Sequence, residues 1–145
     1  DKIIKIWNIT HTEFKLFPEV IGILKKLRSG GFKIGLISNT DCFSIKAISD
    51  GGYGKYFDSM VFSCKVKLLK PYKKIFKILL YNIGAKPRES LMVVDNLKDD
   101  ILPAEKMGMK CVMMRRKGNY SLSWVENGEY KNEINSLDEI WKYLE

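Results

Sequence analysis

The chain has 145 residues, with 25 Lys and Arg against 17 Asp and Glu, a formal charge of +8, and 46% hydrophobic against 29% charged residues. That balance describes a soluble globular domain, and the length suits one core rather than two. No apolar run approaches the roughly 18 residues that a bilayer-spanning helix needs, and Asp1-Lys2-Ile3-Ile4-Lys5 interleaves charge with β-branched residues where a signal peptide would be apolar.

In chain order, Val20, Ile23, Leu24 and Leu27 recur at one-face helical spacing, which predicts a helix from Pro18 to Leu27, with Gly30-Gly31 as its stop. Phe32 to Ile37 reads as a strand ending in Ser38-Asn39-Thr40. A weaker helix around Phe43 to Ile48 is broken by Gly51-Gly52. Met60-Val61-Phe62 is a short buried-strand run ending at Ser63, and Pro71 opens a second helix with Ile75, Phe76, Leu79 and Leu80 on one side. Leu91 to Val94 is a third strand, ending at Asp95. A helix from about Asp100 to Met107 stops at Gly108, and Lys110 to Met114 is a fourth strand. Gly118 to Asn132 is polar and mixed, hence a loop. Ser136 and Glu139 form a capping box before the apolar face Leu137, Ile140, Trp141 and Leu144 of a final helix. Strands alternating with helices predict βαβ units, a mostly parallel sheet and an α/β fold class.

The charge and the cysteines narrow the function classes. Lysines are spread along the chain, with one concentration at Lys65, Lys67, Lys70, Lys73, Lys74 and Lys77, and no base-reading segment accompanies them. The positive charge therefore reads as a solvated surface with general anion affinity, and nucleic acid as an unlikely partner. Cys42, Cys64 and Cys111 are far apart in the chain and accompanied by a single histidine, His11, so a zinc site is improbable. Scattered, odd-numbered thiols fit a reducing, cytoplasmic setting. His11 reads as a surface or turn residue, and Trp7, Trp124 and Trp141 as packing or loop anchors.

In open parallel sheets ligands bind beyond the carboxyl ends of the strands. Ser38-Asn39-Thr40, Ser63, and Asp95 with Asp99 and Asp100 all fall there, and Lys70 precedes a helix whose free N–H groups point the same way. Hydroxyl, ammonium and carboxylates at one edge suit a phosphoryl group and a hard divalent cation. Each element alone also has a plain structural reading: Ser-Asn-Thr as a turn, Lys-Pro as a helix start, Asp99 and Asp100 as helix-dipole partners. Asp95 at the end of an apolar strand is harder to place without a partner or metal.

Ile34-Gly35-Leu36-Ile37-Ser38-Asn39, then Ser63 through Lys70-Pro71 to Ile75-Phe76, then Val93-Val94-Asp95 through Asp99-Asp100-Ile101 and Ala104 to Gly108-Met109 closely resemble the haloacid dehalogenase (HAD) superfamily of hydrolases, from about Phe17 to the C-terminus. The resemblance is strongest to members whose helical cap lies between the first two motifs. It implies a Rossmann-like core with the cap absent or reduced to a remnant: residues 1–17 as cap remnant or substitute first strand, and 18–145 as core. It assigns Ser38, with the Asn39 backbone beside it, to phosphate binding. Lys70 is assigned to stabilising the transition state and orienting the nucleophile, and Asp95, Asp100 and Asp99 to Mg²⁺. Retention of Asp95 favours a phosphatase acting on a small phosphate monoester over a metal-independent dehalogenase. Val94 stands where the family often has Gly.

The family's nucleophile is the first Asp of an Asp-x-Asp-x-Thr motif on the central strand, and the chain contains no such motif. Two readings stay open. In the first, favoured by the Asp1 start, that strand and most of the cap lie upstream. In the second, Ile3 to Trp7 is a first strand, and Asn8 to Thr12 is a motif with both carboxylates replaced. Either way the chain by itself is expected not to complete aspartyl-phosphate chemistry, and a missing central strand would leave unpaired edges on both sides of a gap. The expected partners are a small phosphorylated substrate and, for completeness, an upstream fragment of the same protein or a second copy. The rival readings are a non-catalytic phosphate-binding module, a haloacid dehalogenase-type hydrolase and, more weakly, a basic nucleic-acid binder.

Overall fold

The computed structural model describes residues 16–116 and 130–144. The readings placed on residues 1–15, on most of the loop 118–132, on His11 and on Trp124 lie outside the described residues.

The first helix, α1 (Val20–Ser29), buries Ile23, Leu24 and Leu27, the stripe its spacing predicts. It starts two residues after Pro18, which sits in the preceding turn. After the Gly30 cap, Gly31 takes a φ of +79°, a left-handed value that suits a residue without Cβ. Strand β1 (Gly35–Ser38) is shorter than the expected Phe32–Ile37 run. Ahead of it, Ile34 N–H donates to Asp58 Oδ2 at 2.8 Å, while Asp58 N–H donates to the Ile34 carbonyl at 2.7 Å. A side chain thus occupies the donor that a strand would have used. Gly35 is needed for close approach: a Cβ there would come within 2.9 Å of the Leu79 side chain.

Helix α2 (Cys42–Asp50) and a 3-10 turn (Tyr53–Tyr56) lead to β2 (Ser59–Phe62). A one-turn helix, α3 (Ser63–Val66), follows directly, an element the apolar pattern does not announce. The next helix, α4 (Lys73–Ile83), begins two residues later than Pro71, because Tyr72 is still extended. After a 3-10 turn (Pro87–Glu89) and β3 (Leu91–Val94), the predicted helix from Asp100 to Met107 divides. Leu97–Ile101 winds as a wide π turn, with Asn96 Oδ1 accepting from Asp99 N–H at 2.8 Å, and only α5 (Leu102–Glu105) is α-helical. Strand β4 (Lys110–Met114) follows. The two-residue β5 (Glu133–Ile134) begins next to the expected loop. The capping box of Ser136 and Glu139 forms, but Leu137–Tyr143 winds as a 3-10 helix.

All strand pairings among the described residues are parallel, in two sheets: β1 with β2, and β3–β4–β5 with β4 in the middle. Both sheets share one core. Ile37 and Val61 pack with Met92, Cys111 and Met113 under Ile75 and Phe76 of α4 and Ala104 of α5. On the opposite face α1, Ile34 and Ile140 cover Leu91 and Val93. Alternate residues of β3 therefore face opposite helical layers, as the period-two geometry of a strand requires. The result is the expected α/β architecture of helices on both faces of parallel strands. No helix among the described residues is long and apolar enough to cross a membrane.

Candidate active site

Three loops meet at the carboxyl ends of the strands. The first leaves β1 at Ser38, whose register partner in β2 is Phe62, immediately before Ser63. The second runs from Ser63 to the start of α4. The third leaves β3 at Val94 and passes through Asp95 into the π turn.

The first two are fastened together by paired hydrogen bonds. The Asn39 carboxamide grips the Lys70 backbone from both sides: Lys70 N–H donates to Asn39 Oδ1 at 2.8 Å, and Asn39 Nδ2 donates to the Lys70 carbonyl at 3.1 Å. Thr40 N–H donates to Ser63 Oγ at 2.9 Å, and that hydroxyl donates to the Thr40 carbonyl at 3.1 Å. Ser63 is 4% exposed, so this clip is sheltered from competing water. The Lys70–Pro71 peptide is cis.

The second and third loops are joined by charge. Lys70 Nζ stands 2.5 Å from Asp100 Oδ1, with 13% and 4% of the two side chains exposed. Burial pushes the Asp100 carboxyl above the usual carboxylate range. The Lys70 ammonium opposes that shift, and the charges of Asp95 and Asp99 add to it. The charges of two neighbouring carboxylates thus bear on Asp100 beside the Lys70 ammonium. Asp100 Oδ1 is buried against the Lys70 ammonium, which answers its charge and leaves the remaining carboxylate lone pairs available.

That arrangement fits a divalent cation in two respects: the donors are hard oxygens, and a buried carboxylate oxygen keeps accepting capacity. Among the described residues no three His, Cys, Asp or Glu side chains form a metal cage. Asp95 and Asp100 would thus hold Mg²⁺ together with substrate oxygens and water, the usual manner for this ion.

The sequence-predicted residues Asn39, Lys70, Asp99, Asp100 and Asp95 therefore fall into one connected site, with Ser38 at the end of the strand that leads into it. The reading missed the Asn39 side chain, since it credited only the backbone there, and gave Ser63 no job. A polar residue at the end of each of two neighbouring parallel strands was the available signal for a loop-to-loop clip.

A family model described as haloacid dehalogenase-like hydrolase matches residues 1–114. A glyceraldehyde 3-phosphate phosphatase of Methanocaldococcus jannaschii is 34% identical over 142 residues, covering 95% of this chain and 60% of that protein. The (S)-2-haloacid dehalogenase 4A of Burkholderia cepacia is 28% identical over 135 residues, covering 92% and 57%. Among solved structures, a HAD phosphatase from Thermococcus onnurineus superposes with a TM-score of 0.76 at 29% identity, covering 90% of this chain and 58% of that one. The chain spans about 60% of the length of these two curated relatives. With the family model matching most of the chain and the loops after β1, β2 and β3 meeting at the carboxyl ends of the strands, the chain belongs to the haloacid dehalogenase-like hydrolase family.

Proposed function

We propose that this chain is the core of a cytoplasmic, Mg²⁺-dependent phosphatase acting on a small phosphate monoester. The observation that carries the reading is the Lys70–Asp100 pair. It puts an ammonium for the phosphoryl charge against a carboxylate suited to a cation, at the edge where Asn39 anchors the Lys70 backbone. In this reading the Ser38 hydroxyl and the Asn39 backbone N–H donate to the phosphoryl oxygens. Lys70 stabilises the charge that builds on them during transfer. Asp95 and Asp100 would hold the metal, with the Asp99 charge beside them, and the metal when bound would neutralise phosphate charge and polarise the phosphoryl oxygen. Similarity to enzymes named glyceraldehyde 3-phosphate phosphatase supports a phosphorylated small metabolite as the substrate class.

The aspartyl nucleophile is not among these residues. We place it on a strand supplied upstream of Asp1 or by a partner chain, so the 145-residue chain binds phosphate without turning it over. Calorimetric titration with inorganic phosphate and Mg²⁺ tests the binding half: binding is expected in the chain and is lost in Lys70→Ala. A longer chain carrying an Asp-x-Asp-x-Thr strand is expected to hydrolyse glyceraldehyde 3-phosphate only with Mg²⁺. Metal-independent release of halide from a 2-haloacid by that longer chain would overturn the reading in favour of a dehalogenase. Absence of phosphate binding in the folded chain would overturn the role given to Lys70.

A further inference from the structure

The clip that joins the first two loops has one more rung, to which the phosphatase reading gives no role. Cys42, at the first turn of α2, and Cys64, in α3, lie 22 residues apart in sequence, yet Cys42 Sγ–H donates to Cys64 Sγ at 3.3 Å. Both thiols are free. Their approach follows from the clip rather than from one flexible side chain. Thr40 and Ser63, which exchange two hydrogen bonds, stand two residues before Cys42 and one residue before Cys64. The third cysteine, Cys111, is buried in the core at 2% exposure, and burial holds its thiol up at about 12.

We propose that Cys42 and Cys64 are a redox-modification site, a dithiol that peroxide or a small-molecule disulfide closes into a bond stapling the loop after β1 to the loop after β2. The inference goes beyond the phosphatase reading and does not depend on it, because it needs only the two thiols and the clip.

With hydrogen peroxide the chemistry balances in two steps. The Cys42 thiolate attacks one peroxide oxygen. An S–O bond forms as the O–O bond breaks, and hydroxide leaves and takes up a proton as water. Cys64 then attacks the sulfenic sulfur, forming S–S as S–O breaks, and the second oxygen leaves as water. Two thiols are oxidised and one peroxide is reduced. Cys42 is the exposed member and meets the oxidant. Burial and the neighbouring Cys42 raise the Cys64 thiol, which makes it the resolving partner. The closed bond would add a covalent link between the Ser38–Thr40 loop and the Lys70 loop, which in the dithiol are joined by the Asn39–Lys70 and Thr40–Ser63 hydrogen bonds. Intracellular disulfides are mostly of this sensing kind.

The test uses the reduced chain, treated with one equivalent of hydrogen peroxide, weighed, and then alkylated under denaturing conditions so that Cys111 is reached. Two of the 3 thiols are expected to become unreactive in a monomer lighter by about 2 Da. Dithiothreitol restores all three, and tryptic peptides 34–46 and 56–65 are found joined. Cys111→Ser keeps the joined peptides, whereas Cys42→Ser and Cys64→Ser lose them. Cys42→Ser also slows peroxide consumption by about tenfold or more. In strong urea the pairing loses its selectivity, as a contact set by the fold must. Dimers joined through Cys42, a bridge that includes Cys111 in the folded chain, or sulfinic acid on Cys42 with Cys64 still reactive would each overturn the proposal.

Discussion

Strands β4 and β1 carry similar apolar sequences but occupy different environments. β4 has a parallel neighbour on each side, and its Cys111, Val112 and Met113 are 2%, 0% and 0% exposed. β1 pairs only with β2 among the described residues, and Leu36, Ile37 and Ser38 are all half-buried. A parallel strand is sealed only when helices cover its faces and strands cover both its edges. The strands with one partner among the described residues include β1 and β3, which lead into Ser38 and Asp95. Among the described residues the candidate site therefore lies beside strands with a single partner, and the fully paired β4 lies in the buried core.

The largest expected effect breaks this contrast if it fails. Met113→Asp places a charge in the sealed strand and should cost more than about 4 kcal/mol, enough to unfold the chain. Leu36→Asp in the half-buried strand should cost about 1–2 kcal/mol and leave it folded. Urea midpoints read both, and equal costs would erase the distinction. A longer chain or partner that adds a strand beside β1 is expected to raise the cost at Leu36 towards that at Met113.

A second measurement sharpens the link between the sheets. Lys70→Met removes the partner of the nearly buried Asp100 and should cost about 2–3 kcal/mol at pH 7. Asp100 already binds its proton more tightly folded than unfolded. Its contribution therefore favours folding at low pH and is lost as pH rises through its raised value. Without Lys70 the carboxyl rises further, so the penalty should shrink as the pH is lowered towards 4. A penalty independent of pH would mean that Lys70 acts through packing rather than charge.

The smallest effect lies far from the site, at the cap of the last helix. The Glu139 carboxyl is held low, first by its Lys142 partner and then by the Asn135 backbone N–H. A depressed carboxylate stabilises the fold above its unfolded value, and that stability is lost as pH falls through the folded one. Glu139→Gln should flatten the acid side of a plot of melting temperature against pH and leave phosphate binding unchanged.

The order of the site was legible in the sequence because apolar runs mark strand ends, and Ser38, Ser63 and Asp95 each follow one. The capping box was legible because its partners are local. The clip between Asn39 and Lys70 was not, since the two residues are 31 apart and nothing local signals which carboxamide meets which backbone. The wide turn at Leu97–Ile101 was missed for a related reason. Its residues suit an α-helix, and the Asn96 side chain, by capping Asp99 N–H, goes with a different winding.

Composition, hydrophobic period and turn residues by themselves determined the alternation of strands and helices and the types of group offered at the strand ends. Those signals act over a few residues, where backbone preference and the solvent's exclusion of apolar side chains decide. Tertiary structure alone decided that Lys70 neutralises Asp100, that Asn39 and Ser63 are fasteners, and that Cys42 meets Cys64. Each of these joins residues more than twenty apart, and the energy of such a contact exists only once two packed faces have brought the groups together.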